Sequence, residues 1–160
     1  MCLARLCHGP SRGRKARPRL REETHMSITG RCYCGDVHYK AEGPGFMKFE
    51  CYCRECRYIS GGGPVMGMAV LNEGFEVTKG KVAGFARTDI QGAVTREFCP
   101  TCGTHLFTRA PSFPQGVILK IGCLDNPDDF GGADFAAFAC DAEDWHRLPT
   151  DIPTHDRWVR

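Results

Sequence analysis

From Ile28 onward, apolar and polar residues alternate over short stretches. Val37, Tyr39 and Ala41 fall on one side of an extended segment, and residues 65–70, 75–78 and 117–121 also read as strands. Turn residues separate these stretches at Gly43-Pro44-Gly45, Gly61-Gly62-Gly63-Pro64, Asn72-Glu73-Gly74, Lys79-Gly80 and Asp125-Asn126-Pro127. Nineteen Gly and ten Pro leave little room for long helices. A short helical turn is expected near Asp125 or Asp141, where the carboxylate would cap its start. No internal repeat is evident. The pattern predicts a mainly β protein folded as one domain over residues 26–160.

The chain of 160 residues is long enough to bury a real core, and 42% hydrophobic with 25% charged residues is an ordinary globular balance. No apolar run approaches the ~18–20 residues of a spanning helix, so no membrane partner is expected. The net charge of +2 is unevenly spread. Residues 1–25 hold seven Lys/Arg against two acids, and residues 26–160 hold fourteen against seventeen. The mildly acidic body gives no electrostatic reason to bind nucleic acid. Residues 1–25 lack the apolar centre of a secretory signal and read as a disordered basic leader, with no role for Cys2, Cys7 or His8. A natural start at Met26 is a further expectation. Without export, a cytoplasmic setting is expected, and disulfides are disfavoured there.

Eleven cysteines are far more than such a core needs. Seven fall into three clusters: Cys32 and Cys34; Cys51, Cys53 and Cys56; and Cys99 and Cys102. In a C-x-x-C knuckle a tight turn brings two sulfurs onto one ion, and a following glycine supplies the permissive backbone. A C-x-C pair on a strand would place both sulfurs on one face, about 6.6 Å apart along the chain, within reach of one zinc ion. Seven cysteines cannot all pair as disulfides, and a bridge inside C-x-C would be strained. Clustered thiolates favour zinc over calcium or magnesium.

Two complete four-sulfur sites need eight ligands, so one site falls short. The first and third clusters can close one site through Cys32, Cys34, Cys99 and Cys102. Cys51, Cys53 and Cys56 would then hold a second ion with one position unfilled, the mark of a catalytic zinc. Spacing equally allows His38, His105, Cys123 or Cys140 to complete that site and make it structural.

The motifs Gly30-Arg31-Cys32-Tyr33-Cys34-Gly35, Cys51-Tyr52-Cys53-Arg54-Glu55-Cys56-Arg57 and Phe98-Cys99-Pro100-Thr101-Cys102-Gly103-Thr104 resemble those of the glutathione-dependent formaldehyde-activating enzyme family. Leu148-Pro149 and Asp151-Ile152-Pro153 extend the likeness, which covers roughly residues 28–155. The resemblance implies a β-tent fold stapled by zinc, with two zinc ions. It assigns Cys32, Cys34, Cys99 and Cys102 to the structural zinc and Cys51, Cys53 and Cys56 to the catalytic one. Members often have His where this chain has Tyr52, and a further His where it reads Phe135-Ala136-Ala137-Phe138.

The activity implied is that of a carbon–sulfur lyase handling adducts of glutathione, the cosubstrate, with aldehydes, such as S-hydroxymethylglutathione. A metal-bound thiol is deprotonated where a free one is not. Three thiolates leave the zinc site at −1, which makes thiol exchange its more comfortable role. Arg54 and Arg57 flank the cluster and could pair with glutathione carboxylates. His105 could act as a base, Cys140 as a nucleophile and Trp145 or Trp158 as a cleft wall, whereas Cys123 reads as a buried small hydrophobe. The rival readings are a non-catalytic zinc-stapled binding module and a zinc-ribbon nucleic-acid binder using the basic leader.

Overall fold

The computed structural model describes residues 27–159, so the leader and the start at Met26 lie outside the described residues. Eleven strands and one short α-helix follow in order: β1 (Ser27–Arg31), β2 (His38–Glu42), β3 (Phe46–Cys51), α1 (Arg54–Ser60), β4 (Val65–Leu71), β5 (Phe75–Lys79), β6 (Ala83–Phe85), β7 (Thr95–Phe98), β8 (His105–Arg109), β9 (Gly116–Lys120), β10 (Phe135–Ala137) and β11 (Thr154–His155). The small sheet has the order β1-β2-β5, and the large one runs β11-β10-β3-β4-β9-β8-β7-β6. Pairing is antiparallel except where β10 lies parallel to β3 and to β11. The mainly β expectation therefore holds.

The four strands read from alternation are present, but the helical expectations need correction. Pro127–Asp129 forms one 3-10 turn capped by Asn126, whose side chain accepts from the Asp128 N–H, so the cap is not Asp125. At Ala139–Asp141 the turn ends on Asp141 instead of starting there. Helix α1 lies inside the middle cysteine cluster and has no amphipathic run long enough to reveal it. Its N-cap is Cys53, whose sulfur accepts from the Cys56 N–H at 3.4 Å. Gly61 ends it in the left-handed conformation at φ 76°.

The core lies between the sheets. Ile28, Val37, Tyr39 and Ala41 from the small sheet meet Met68, Val70, Leu106, Phe107, Val117 and Leu119 from the large one. Each large apolar side chain fully buried here contributes about 1.5–3 kcal/mol. Tyr39, Phe75 and Phe107 form an aromatic triangle with centroids 4.9–6.0 Å apart. Period two along β9 sends Val117 and Leu119 into this core, so Ile118 and Lys120 face the other side of the large sheet.

Gly30 shows how tightly β1 is fitted. A Cβ there would sit 2.2 Å from the Tyr39 hydroxyl and 2.5 Å from the Cys123 carbonyl oxygen, just before the first cysteine cluster. Gly30→Ala is expected to cost about 1–3 kcal/mol through overpacking, measured as a lower urea midpoint with an unchanged slope.

Candidate metal centre

The chain brings the seven clustered cysteines together as two groups. Cys32, Cys34, Cys99 and Cys102 have sulfurs all within 4.8 Å of one another, as do Cys51, Cys53 and Cys56. In the first group the Cys32–Cys34 and Cys34–Cys99 sulfurs are 3.5 and 3.7 Å apart. A tetrahedral zinc with Zn–S bonds of about 2.3 Å requires sulfurs about 3.8 Å apart, so the donor set fits this ion.

Local backbone explains the first group. The Gly35 N–H donates to the Cys32 carbonyl at 3.1 Å, and the Gly103 N–H donates to the Cys99 carbonyl at 2.9 Å. Gly35 and Gly103 take φ values of 77° and 72°, the permissive geometry expected after a knuckle. The C-x-C pairs do not lie along strands as the strand argument supposed. Cys32 and Cys34 sit in the turn after β1, while Cys51 ends β3 and Cys53 caps α1. Turns bring the sulfurs closer than the roughly 6.6 Å spacing of a strand.

Hydrogen bonds tune these thiols. Burial raises Cys32, but the Val37 and Asp36 backbone and the Cys34 and Cys99 sulfurs outweigh it, for a net lowering. Cys102 is drawn down to about 6, chiefly by the Thr104 hydroxyl 3.1 Å away. In the middle group, hydrogen bonds from Cys51 and Cys56 pull Cys53 far below the thiol range, and Cys51 is driven up by its bonds to Cys53 and Cys56 and by burial. Cys56 is also raised, to about 11, so the negative charge of the group is concentrated on Cys53.

Among the described residues, no fourth His, Cys, Asp or Glu joins the middle group. His38 is engaged elsewhere, with its Nε2 3.0 Å from the Gly35 carbonyl oxygen. The Cys123 thiol donates to the His105 carbonyl at 3.3 Å and sits in the core. Cys140 is exposed and donates to the Asp156 carbonyl at 2.9 Å and to the Asp141 carboxylate at 3.4 Å; desolvation of the sulfur and the Asp141 bond raise its pKa, which disfavours the thiolate a nucleophile needs.

Cys51 and Cys56 instead line a cleft of about 640 Å³ on the large sheet, on the side away from the core. His105, Lys120, Arg96 and Thr108 stand in the same cleft. Lys120 arrives through the alternation of β9, one rung along β4 from Cys51: Gly67 pairs with Lys120, and Val65 with Cys51. Burial pulls the Lys120 ammonium down to about 8, against the opposing pull of Cys56. Burial, with the nearby charges of Lys120 and Arg96, holds His105 neutral down to about 3. Its Nε2 lies 3.1 Å from the Thr108 hydroxyl. Trp158 forms part of the cleft wall, whereas Trp145 is largely exposed.

The flanking arginines are differently placed. Arg57 is ion-paired with Glu143, and only 10% of its side chain is exposed. Arg54 is exposed and donates to the Tyr58 hydroxyl at 2.9 Å. Tyr52 is buried, with its hydroxyl donating to Glu50 at 2.9 Å and lying 3.2 Å from the Arg147 carbonyl oxygen. Lys120, Arg96 and Thr108 were missed from sequence. Arg96 is held by Glu55 at 2.9 Å, a contact across 41 positions that no local pattern reveals.

Fold and donor set define a β protein with two thiol groups able to hold metal. The family model described as glutathione-dependent formaldehyde-activating enzyme matches residues 27–141. The chain belongs to that family. No curated protein matches it. A Rhodobacter sphaeroides protein known from its crystal structure is similar in fold, with a TM-score of 0.53 and 22% identity over 66% of this chain and 96% of that one. No helix among the described residues is long and apolar enough to cross a membrane.

The folded His105 value of about 3 lies below its ordinary 6.5, so the neutral ring favours the folded state. That contribution is full above about 6.5 and is lost as pH falls toward about 3. Ring carbon shifts in NMR are expected to show His105 still neutral at about pH 5.

Proposed function

We propose that the chain is a zinc-dependent carbon–sulfur lyase acting on glutathione–aldehyde adducts such as S-hydroxymethylglutathione. In this reading residues 26–160 form one zinc-binding domain of β-tent type, working in the cytoplasm. Cys32, Cys34, Cys99 and Cys102 hold a structural zinc, and Cys51, Cys53 and Cys56 hold a catalytic one. The observation that carries the reading is the three-sulfur group that has no fourth ligand among the described residues and opens on a cleft. A purely structural site would be closed.

Zinc bound at the three sulfurs would supply a Lewis acid and lower the pKa of an incoming thiol. In the adduct-forming direction the glutathione sulfur joins the aldehyde carbon, and the carbonyl π pair moves to oxygen. The proton that left sulfur ends on that oxygen, and the lyase direction is the reverse. Lys120 can steady the developing negative oxygen and deliver its proton, since an ammonium near pKa 8 is both charged and a ready donor near neutral pH. His105, kept neutral down to about 3 beside Thr108, is too weak a base to take the thiol proton, which leaves proton transfer to Lys120. Arg54 is the freer of the two flanking arginines for a glutathione carboxylate, because Arg57 is committed to Glu143.

Metal analysis of the purified chain is expected to give about two zinc ions per chain. Cys53→Ala should lose one zinc and the adduct chemistry while remaining folded by circular dichroism. Cys102→Ala should unfold or aggregate, because a structural zinc contributes directly to folding. One zinc in the parent chain, or equal folding of both variants, would defeat the division of roles.

A further inference from the structure

The cleft beside the three sulfurs is larger and greasier than formaldehyde and glutathione require. At about 640 Å³ it falls within the range of pockets that enclose a whole small molecule. Its far walls are Met47, Phe49, Phe113, Phe138, Trp158 and Val159. Among the described lining residues there is no Asp or Glu. Formaldehyde has no tail to fill such a space. Glutathione carries two carboxylates and an ammonium, and stripping water from them against aromatic walls is costly. The ammonium would also find no carboxylate there.

Lys120 lies close enough to Cys56, Cys51 and Arg96 to interact with each electrostatically. Arg96 is already paired with Glu55. Lys120 makes no hydrogen bond or ion pair with any described residue, although it lies half-buried in the cleft. Lys120, which no carboxylate among the described lining residues answers, can receive one oxygen-bearing head, with apolar walls beyond it for a tail.

The walls are also built against backbone preference. Met47 and Phe138 are the two non-glycine residues with positive φ among those described, at 46° and 60°, and both line this cleft. Met47 sits where the β3–β4 register shifts. Such conformations cost on the order of 1–3 kcal/mol each and persist where the surroundings enforce them. Trp158 meets Phe49 edge-on at 4.9 Å and packs against Phe138 at 6.4 Å. The aromatic wall is therefore held in place before any ligand arrives.

We propose that the aldehyde partner of this enzyme carries an apolar tail, of medium-chain or aromatic size, with its oxygen at Lys120 and its tail against Phe113, Phe138 and Trp158. The charged ends of glutathione stay outside the cleft. This substrate class rests on the thiol–aldehyde reading given above, but the cleft's preference for an apolar tail is open to test without any reaction.

The test titrates the zinc-loaded full chain with octanoate, an unreactive mimic of tail and oxygen, and with formate as the tail-less control. Trp158 emission is followed in a Trp145→Phe background. Octanoate is expected to bind at least about tenfold more tightly than formate, as burial of several methylenes requires. Phe138→Ala, Phe113→Ala and Lys120→Met should each weaken octanoate binding about tenfold. Octanoate binding no tighter than formate, or unmoved by Phe138→Ala and Lys120→Met, overturns the proposal. A second arm compares octanal with formaldehyde, each with glutathione. A higher kcat/KM for octanal supports the proposal, and a higher value for formaldehyde overturns it. Tight, variant-sensitive octanoate binding with no turnover of either aldehyde refutes the thiol–aldehyde chemistry and leaves the cleft's ligand class standing.

Discussion

Sulfur convergence is the constraint on which the molecule depends. Cys34 and Cys99 are 65 positions apart in the chain, yet their sulfurs lie 3.7 Å from each other. Holding four thiols at this distance without a shared cation would press ionisable sulfurs against one another, with Cys32 and Cys99 buried. The group ties the turn after β1 to the loop between β7 and β8, and so ties the small sheet to the large one. Thr104 secures the join, accepting from the Tyr33 N–H at 3.1 Å while its hydroxyl meets the Cys102 sulfur. The core of Ile28, Tyr39 and Phe107 is assembled between those same elements.

The two faces of the large sheet then divide the labour. Each strand near its centre offers alternate side chains to opposite sides. The inner side is filled by Met68, Val70, Val117 and Leu119. The outer side collects Phe49, Cys51, Ile118 and Lys120, together with Arg96 and Thr108 from strands farther along. The core therefore fixes the spacing of groups in the cleft without taking part in the chemistry. Lys120 stands out because, among the described residues, no carboxylate answers it, whereas Glu55 answers Arg96.

The departures from the family pattern are physically contained. Tyr52, where relatives often carry His, is a buried residue bonded to Glu50 and the Arg147 backbone, and it meets His146 edge-on at 5.4 Å. His146 accepts from the Glu143 N–H and reaches the Gly62 carbonyl at 2.8 Å, so it braces the end of α1. The same region holds Arg57 through Glu143. These contacts fix the middle cysteine cluster from behind and leave its open side to the cleft.

The sequence alone determined the strand faces around Tyr39 and β9, the turns between them and the grouping of seven cysteines. These follow from period two, glycine and proline punctuation, and ligand spacing, all of which are local. Local spacing could not say whether His38, His105, Cys123 or Cys140 stood beside the middle cluster, because that depends on which strands become neighbours. Helix α1 was illegible because seven residues bearing no buried face carry no periodic signal, and its cap is a cysteine instead of Asp or Ser. Lys120 read as the polar tail of an apolar strand. Only the tertiary structure made it a charge of the cleft, because long-range pairing of β4 with β9 set it one rung from Cys51 and the packed core turned it to that side.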